Sequence, residues 1–417
     1  MKWRNYILAI AAFACSMAAQ AQTNAQEFEK HFCDSTLRLD YVFAGDREKQ
    51  AIYVDQLCKS AHWYGRRHRL SELPLAGSGD ITVSDAESGE VIYRHSFSTL
   101  FQEWLATEES QHTPRSFENV FLVPFPRHKV NIRVRIKDYH DRVMAEMTHC
   151  VAPDDILIRT IGQEERQTPY EVVMQPKDES RCIRIAYVAE GYKESEMDLF
   201  MQDVATANES MFGHEPFKTM KDRFGVIAVK SASEDSGTSV PRNGEWKTTA
   251  LASHFDTFYS DRYLTTLHLK QLHDALAGVP YEHIIILVNT DTYGGGGIYN
   301  SYNLSYTRGK HFRPVVVHEF GHSFGGLADE YAYGDTDPMY FADTEPWEPN
   351  ITTKHDFSQK WQNLINEGKA GLYEGGGYLL HGVWRGTEDC RMRTNENPEF
   401  CPVCRQALTR LINFYTE

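Results

Sequence analysis

The stretch Pro314–Tyr331 reads P-V-V-V-H-E-F-G-H-S-F-G-G-L-A-D-E-Y, and the rest of the chain is best understood outward from it. His318 and His322 stand four residues apart. On a helix both imidazoles leave the same face about one turn apart, the reach that two ligands of one Zn²⁺ need. Glu319 leans toward that face but off the ligand line, where a carboxylate takes a proton from water. Pro314 suits a first helical turn, because its missing N–H would have had no intrahelical partner. Three valines with Phe320 and Phe324 make the segment apolar enough to be buried, and Gly325-Gly326 stops it.

A chain that turns sharply at glycine can bring a following carboxylate back as a third protein ligand, leaving one position open as catalytic zinc requires. Asp329 and Glu330 both stand at the right distance for this. The shorter Asp329 is the preferred third ligand, with Glu330 the alternative, so the expected metal set is His318, His322 and Asp329 around one catalytic Zn²⁺, and Glu319 is the expected catalytic base.

The run H-E-F-G-H-S-F-G-G-L-A-D-E-Y resembles the bacterial IgA-peptidase family of zinc metallopeptidases, which are similar to metzincins. His318, Glu319, His322 and Gly325 match the metzincin pattern H-E-x-x-H-x-x-G-x-x-H/D. The carboxylate comes one residue late, at Asp329 instead of position 328. The resemblance covers the catalytic half best and implies a metzincin-like α/β zinc-peptidase domain there; with residues 22–162 read from their strand pattern as an N-terminal β-sandwich-like domain, the expected fold is α+β. The resemblance also implies extended polypeptide substrates, immunoglobulin A or another host glycoprotein among them. A methionine beneath the metal belongs to such sites, and Met392 has the position for it.

At 417 residues the chain is long enough for two domains, and its 41% hydrophobic content is that of a folded protein. The net charge of -15 argues against nucleic acid as a standing partner. Lys2 and Arg4 precede the apolar run Tyr6–Ala14, and Ala19-Gln20-Ala21 offers a cleavage site, so residues 1–21 read as an export signal. The protein is then periplasmic, cell-surface or extracellular. A lipid anchor at Cys15 is disfavoured, since Ala12-Phe13-Ala14 lacks a branched aliphatic, and no later run is long enough for stable membrane insertion.

Residues 22–162 read mainly as strands: Ile81–Ser84 and Glu90–Ser96 as a hairpin, Phe117–Phe125, Val130–Lys137 and Val143–Cys150, with one short helix in Ser98–Glu109. The basic stripe Arg133/Arg135/Lys137 reads as a solvated sheet face. From residue 163 to 417 the rhythm becomes strand, helix, strand. Cys182–Ala189, Phe224–Val229 and His283–Asn289 are strands. Ser195–Phe212, capped by Ser195, Leu264–Ala277, Asp356–Gly368 and Gln406–Tyr415 are helices. Gly294–Gly297 lacks a G-K-[ST] continuation, so it reads as an edge along which a substrate backbone can lie close. Tyr299, Tyr302 and Tyr306 read as packing residues.

Export permits disulfides, and Cys390 is expected to pair with Cys401 or Cys404 rather than join them as a zinc thiolate, because no fourth Cys or His lies nearby. The favoured reading is thus a secreted zinc endopeptidase. Two other readings stand beside it: a zincin scaffold that binds glycans or host protein without catalysis, and a metal hydrolase of non-peptide amides.

Overall fold

The computed structural model describes residues 26–163, 167–334 and 339–417; the expected export signal and Cys15 lie outside them. The first half supplies β1 (Phe32–Gly45), β2 (Gln50–Ala61), β3 (Gly79–Asp85), β4 (Val91–Phe97), β5 (Arg115–Pro126), β6 (Val130–Lys137), β7 (Val143–Val151) and β8 (Arg159–Thr160). They form two four-stranded sheets, ordered β5-β1-β2-β8 and β4-β3-β6-β7. Alternation drives this: along β6 every second residue is buried, and Phe97 of β4 meets Phe43 of β1 and Phe121 of β5 across the shared core. α1 (Leu100–Leu105) is the short helix expected there, capped by Thr99.

β1, the longest of these strands, and β2 escape the sequence pattern. On β1, Leu37, Leu39, Tyr41 and Phe43 face one way, but Arg38 and Asp40 on the other face are buried as well. Arg38 donates to Asp40 and to Asp274 at 2.6 Å, so an ion pair stands where alternation predicts solvent. In the basic stripe of β6, Arg135 is likewise committed, to the buried Asp80 at 2.8 Å.

The second half is built on β9 (Tyr170–Met174), β10 (Ile183–Glu190), β11 (Phe224–Val229), β12 (His283–Val288), β13 (Gly295–Ile298) and β14 (Tyr302–Tyr306), in the order β13-β14-β12-β10-β11-β9. The central strands are parallel and buried on both faces, which explains their unbroken apolar runs. Ala186, Val188, Ile284, Ile286 and Val288 join the core of the N-terminal sheets. Ile185, Tyr187, Ile285 and Leu287 face α2 (Met197–Met211), α4 (Phe312–Ser323) and α6 (Pro402–Thr416). α2 is not capped by Ser195: a turn at Glu194–Glu196 precedes it, and the Glu196 carboxylate accepts from the Lys193 N–H at 2.8 Å. The expected helix at 264–277 shrinks to α3 (Leu269–Ala275), and that at 356–368 to α5 (Gln362–Asn366). A small sheet of β15 (Ile351–Thr352), β16 (Tyr373–Gly376) and β17 (Leu379–Arg385) completes the fold. No helix among the described residues is long and apolar enough to cross a membrane.

Candidate metal centre

α4 carries the histidines. Its valines are modest helix formers, but Val315, Val316, Val317, Phe312 and Phe320 are all buried, so packing outweighs propensity. Pro314 falls in the first turn, as its chemistry prefers. At the other end Gly326 takes φ +57°, a left-handed conformation. The chain then doubles back, with Gly326 N–H donating to His322 O and Leu327 N–H to Gly321 O, both at 3.0 Å. That reversal aims Leu327 O at the His322 ring and Asp329 at both imidazoles.

The result is a tight trio. His318 Nε2 and His322 Nε2 lie 3.0 Å apart, and Asp329 Oδ1 lies 3.0 Å from the first and 3.3 Å from the second. Each outer ring nitrogen faces a backbone carbonyl: His318 Nδ1 donates to Arg391 O at 3.0 Å, and His322 Nδ1 to Leu327 O at 2.6 Å. A carbonyl only accepts, so both rings carry hydrogen on Nδ1 and turn the Nε2 lone pairs inward. Two lone pairs and a carboxylate oxygen at such distances repel one another unless a shared proton or a metal cation sits among them. The edge of a tetrahedral zinc site with N and O ligands is about 3.3 Å, so the trio fits a divalent ion.

Electrostatically the site attracts positive charge, whether a proton or a cation that displaces it. Burial works against charge on His322, yet the Asp329 carboxylate beside it pushes its pKa up to about 9. Burial would raise the Asp329 carboxyl, but His322 and His318 hold it well below the usual carboxylate range. Glu319 is buried beside them, and its carboxyl is raised by desolvation against the pull of both imidazoles.

The structure brings His318, His322 and Asp329 together and turns Glu330, the alternative ligand, the other way. Met392 is fully buried, with its sulfur against α4: a Cβ added at Gly321 would lie 2.6 Å from Met392 Sδ. The glycine run has a role that was not expected. A Cβ at Gly295 would lie 2.5 Å from Glu319 Oε1, and one at Gly297 would lie 2.6 Å from Glu319 O, so the glycines let β13 pass close over α4. β13 is an edge strand, but Gly295 already exchanges hydrogen bonds with Arg262 and Leu264, so this residue is not free to pair with a substrate. Tyr299, Tyr302 and Tyr306 are buried packing residues.

Two partners were not visible in the sequence. Tyr378, at the turn between β16 and β17, donates its hydroxyl to Asp329 Oδ2 at 2.5 Å and leaves Oδ1 for the imidazole side. Its signal was the glycine-rich run Glu374–Tyr378, which marks a turn without saying what the turn approaches. The other is the thiol group. Cys390, Cys401 and Cys404 form no disulfide, contrary to expectation; they converge on the carboxylate of Glu330 instead.

A family model described as IgA Peptidase M64 matches residues 172–370 and 367–412, and one described as Peptidase M64 N-terminus matches residues 27–148. No curated protein matches the chain.

Proposed function

The chain belongs to the IgA peptidase M64 family, and from that premise we propose that it is an exported zinc endopeptidase with a metzincin-like catalytic half. The observation that carries this reading is the trio of His318 Nε2, His322 Nε2 and Asp329 Oδ1 within 3.3 Å of one another, each imidazole fixed from behind by a carbonyl. Those three residues hold the ion. Zinc bound there supplies Lewis acidity toward a scissile carbonyl and lowers the pKa of water toward about 7.

The protein's own groups do the rest. Glu319, buried next to the trio, accepts the proton of the attacking water and returns it to the leaving amine. Arg391 O and Leu327 O keep both imidazoles in the ligating tautomer, and Tyr378 keeps Asp329 from rotating away. Met392 provides an apolar floor against the helix. Extended polypeptides are the substrates, with immunoglobulin A the one that the family's name suggests and other host glycoproteins as alternatives. The test is hydrolysis of a mixed protein substrate by the purified chain. Cleavage that a chelator abolishes and added zinc restores is the expected result. A metal-replete protein that binds polypeptide without cutting it would be a binding scaffold, and the reading would fall.

A further inference from the structure

Behind the catalytic trio lies a second convergence of metal-binding side chains. One ligating atom from each of Cys390, Cys401, Cys404 and Glu330 lies within 4.8 Å of all the others. Cys390 Sγ and Cys404 Sγ are 3.7 Å apart, and Cys404 Sγ is 3.2 Å from Glu330 Oε1. A disulfide needs about 2.05 Å between its sulfurs. Two thiolates on one tetrahedral zinc, each at about 2.3 Å, stand about 3.8 Å apart, and a thiolate and a carboxylate oxygen about 3.5 Å. The observed spacing is that of co-ligands. We propose that these four residues bind a second, structural zinc ion.

Three further observations carry it. Glu330 is 1% exposed; its Oε1 accepts from Asn350 Nδ2 at 3.0 Å, but its Oε2 has no hydrogen-bond partner among the described residues, a buried polar atom that a bound cation would satisfy. The sulfurs are set in backbone N–H groups: Cys390 Sγ accepts from Cys401 N at 3.2 Å and Met392 N at 3.5 Å, and Cys401 Sγ from Cys404 N at 3.5 Å. Cys401 is also the N-cap of the 15-residue helix α6, which sets its sulfur at the open N–H end of that helix. Finally, four protein donors closed to solvent leave no position open for water or substrate, which is what separates a structural zinc site from a catalytic one.

The site would brace the catalytic trio through one short segment. Cys390 ligates the second ion; Arg391 O holds His318; Met392 O accepts the Glu330 N–H at 2.8 Å; and Glu330 is the chain neighbour of Asp329. Loss of the second ion should weaken zinc binding by the trio about 10- to 100-fold, the usual effect of removing support behind a ligand.

The experiment loads the purified full chain with cobalt(II) and records its absorption, since the catalytic trio contains no sulfur. A thiolate-to-cobalt charge-transfer band is expected in the wild type. It should persist in His318→Ala, which removes the ion that the peptidase reading rests on, and vanish in Cys401→Ser. Alkylation of the unreduced, unfolded chain followed by peptide mapping should find Cys390, Cys401 and Cys404 all as thiols. Absence of the band from the wild type, its loss in His318→Ala, or a disulfide between any two of the three would overturn the proposal. Should Cys401→Ser fail to fold, the wild type and His318→Ala still decide it.

Discussion

Asp329 and Glu330 are consecutive, yet they serve opposite sides of one wall. On the Asp329 side the two imidazoles reach solvent, the His318 and His322 side chains being 13% and 16% exposed, while Asp329 itself is buried behind them. On the Glu330 side the wall is closed, with Cys390 and Cys404 at 0% and Cys401 at 6%. An ion that must meet a substrate needs an open position, and one that only holds the chain together needs none. On the proposed reading the difference divides the work: chemistry on the imidazole side, bracing on the thiol side.

The sharpest way to break this division is to remove ligands on the open side. His318→Ala or His322→Ala should lose the catalytic ion, seen by elemental analysis, and peptide hydrolysis with it. Glu319→Gln separates the ion from the proton transfer: metal content should stay at the wild-type level while kcat falls about 10²- to 10⁴-fold. Retained turnover in that metal-replete variant would end the assignment of Glu319 as base.

A smaller effect sharpens the comparison at the wall itself. Tyr378→Phe removes the donor on Asp329 Oδ2 without touching the thiols, so zinc affinity of the trio should drop about 10- to 100-fold. A thiolate-to-cobalt band unchanged in that variant would show the two sides to be separable. The pH profile adds another check. Desolvation raises the Glu319 carboxyl, and the base must be deprotonated to act, so kcat/KM should fall with decreasing pH above the ordinary glutamate range of about 4.3.

The smallest effect is a control far from either cluster. Asp34 is partly desolvated, but His62, the Trp63 N–H and Arg67 hold its pKa down at about 2. A depressed carboxylate stabilises the fold above its unfolded value and loses that contribution as pH falls toward about 2. Asp34→Asn should therefore lower the melting temperature slightly at neutral pH, converge with wild type in acid, and leave hydrolysis unchanged; the group is exposed enough that solvent screening keeps the effect small.

What could be read from the sequence follows from range. His318, Glu319 and His322 belong to one helix, and Asp329 follows a glycine turn, so local periodicity and turn chemistry were enough to group them. Strands such as β6 were legible because their outward residues are polar and half-exposed, whereas β1 hides Arg38 and Asp40 against Asp274, a partner 236 residues away. Tyr378 comes from a hairpin 49 residues beyond Asp329, and Cys404 meets Glu330 across 74 residues. The thiol cluster was misjudged for a related reason. The fourth group that meets the three thiols is a glutamate, and counting only Cys and His left the cluster looking incomplete. The last helix starts at Pro402, not Gln406, so Cys404 lies within its first turn.

The measurement closest to the central claim is an anomalous difference map at the zinc edge, from crystals of the full chain grown with zinc. The account predicts a peak bonded to His318 Nε2, His322 Nε2 and Asp329, at the roughly 2.0–2.2 Å typical of such ligands. Imidazoles and carboxylate in place with no peak among them would contradict it.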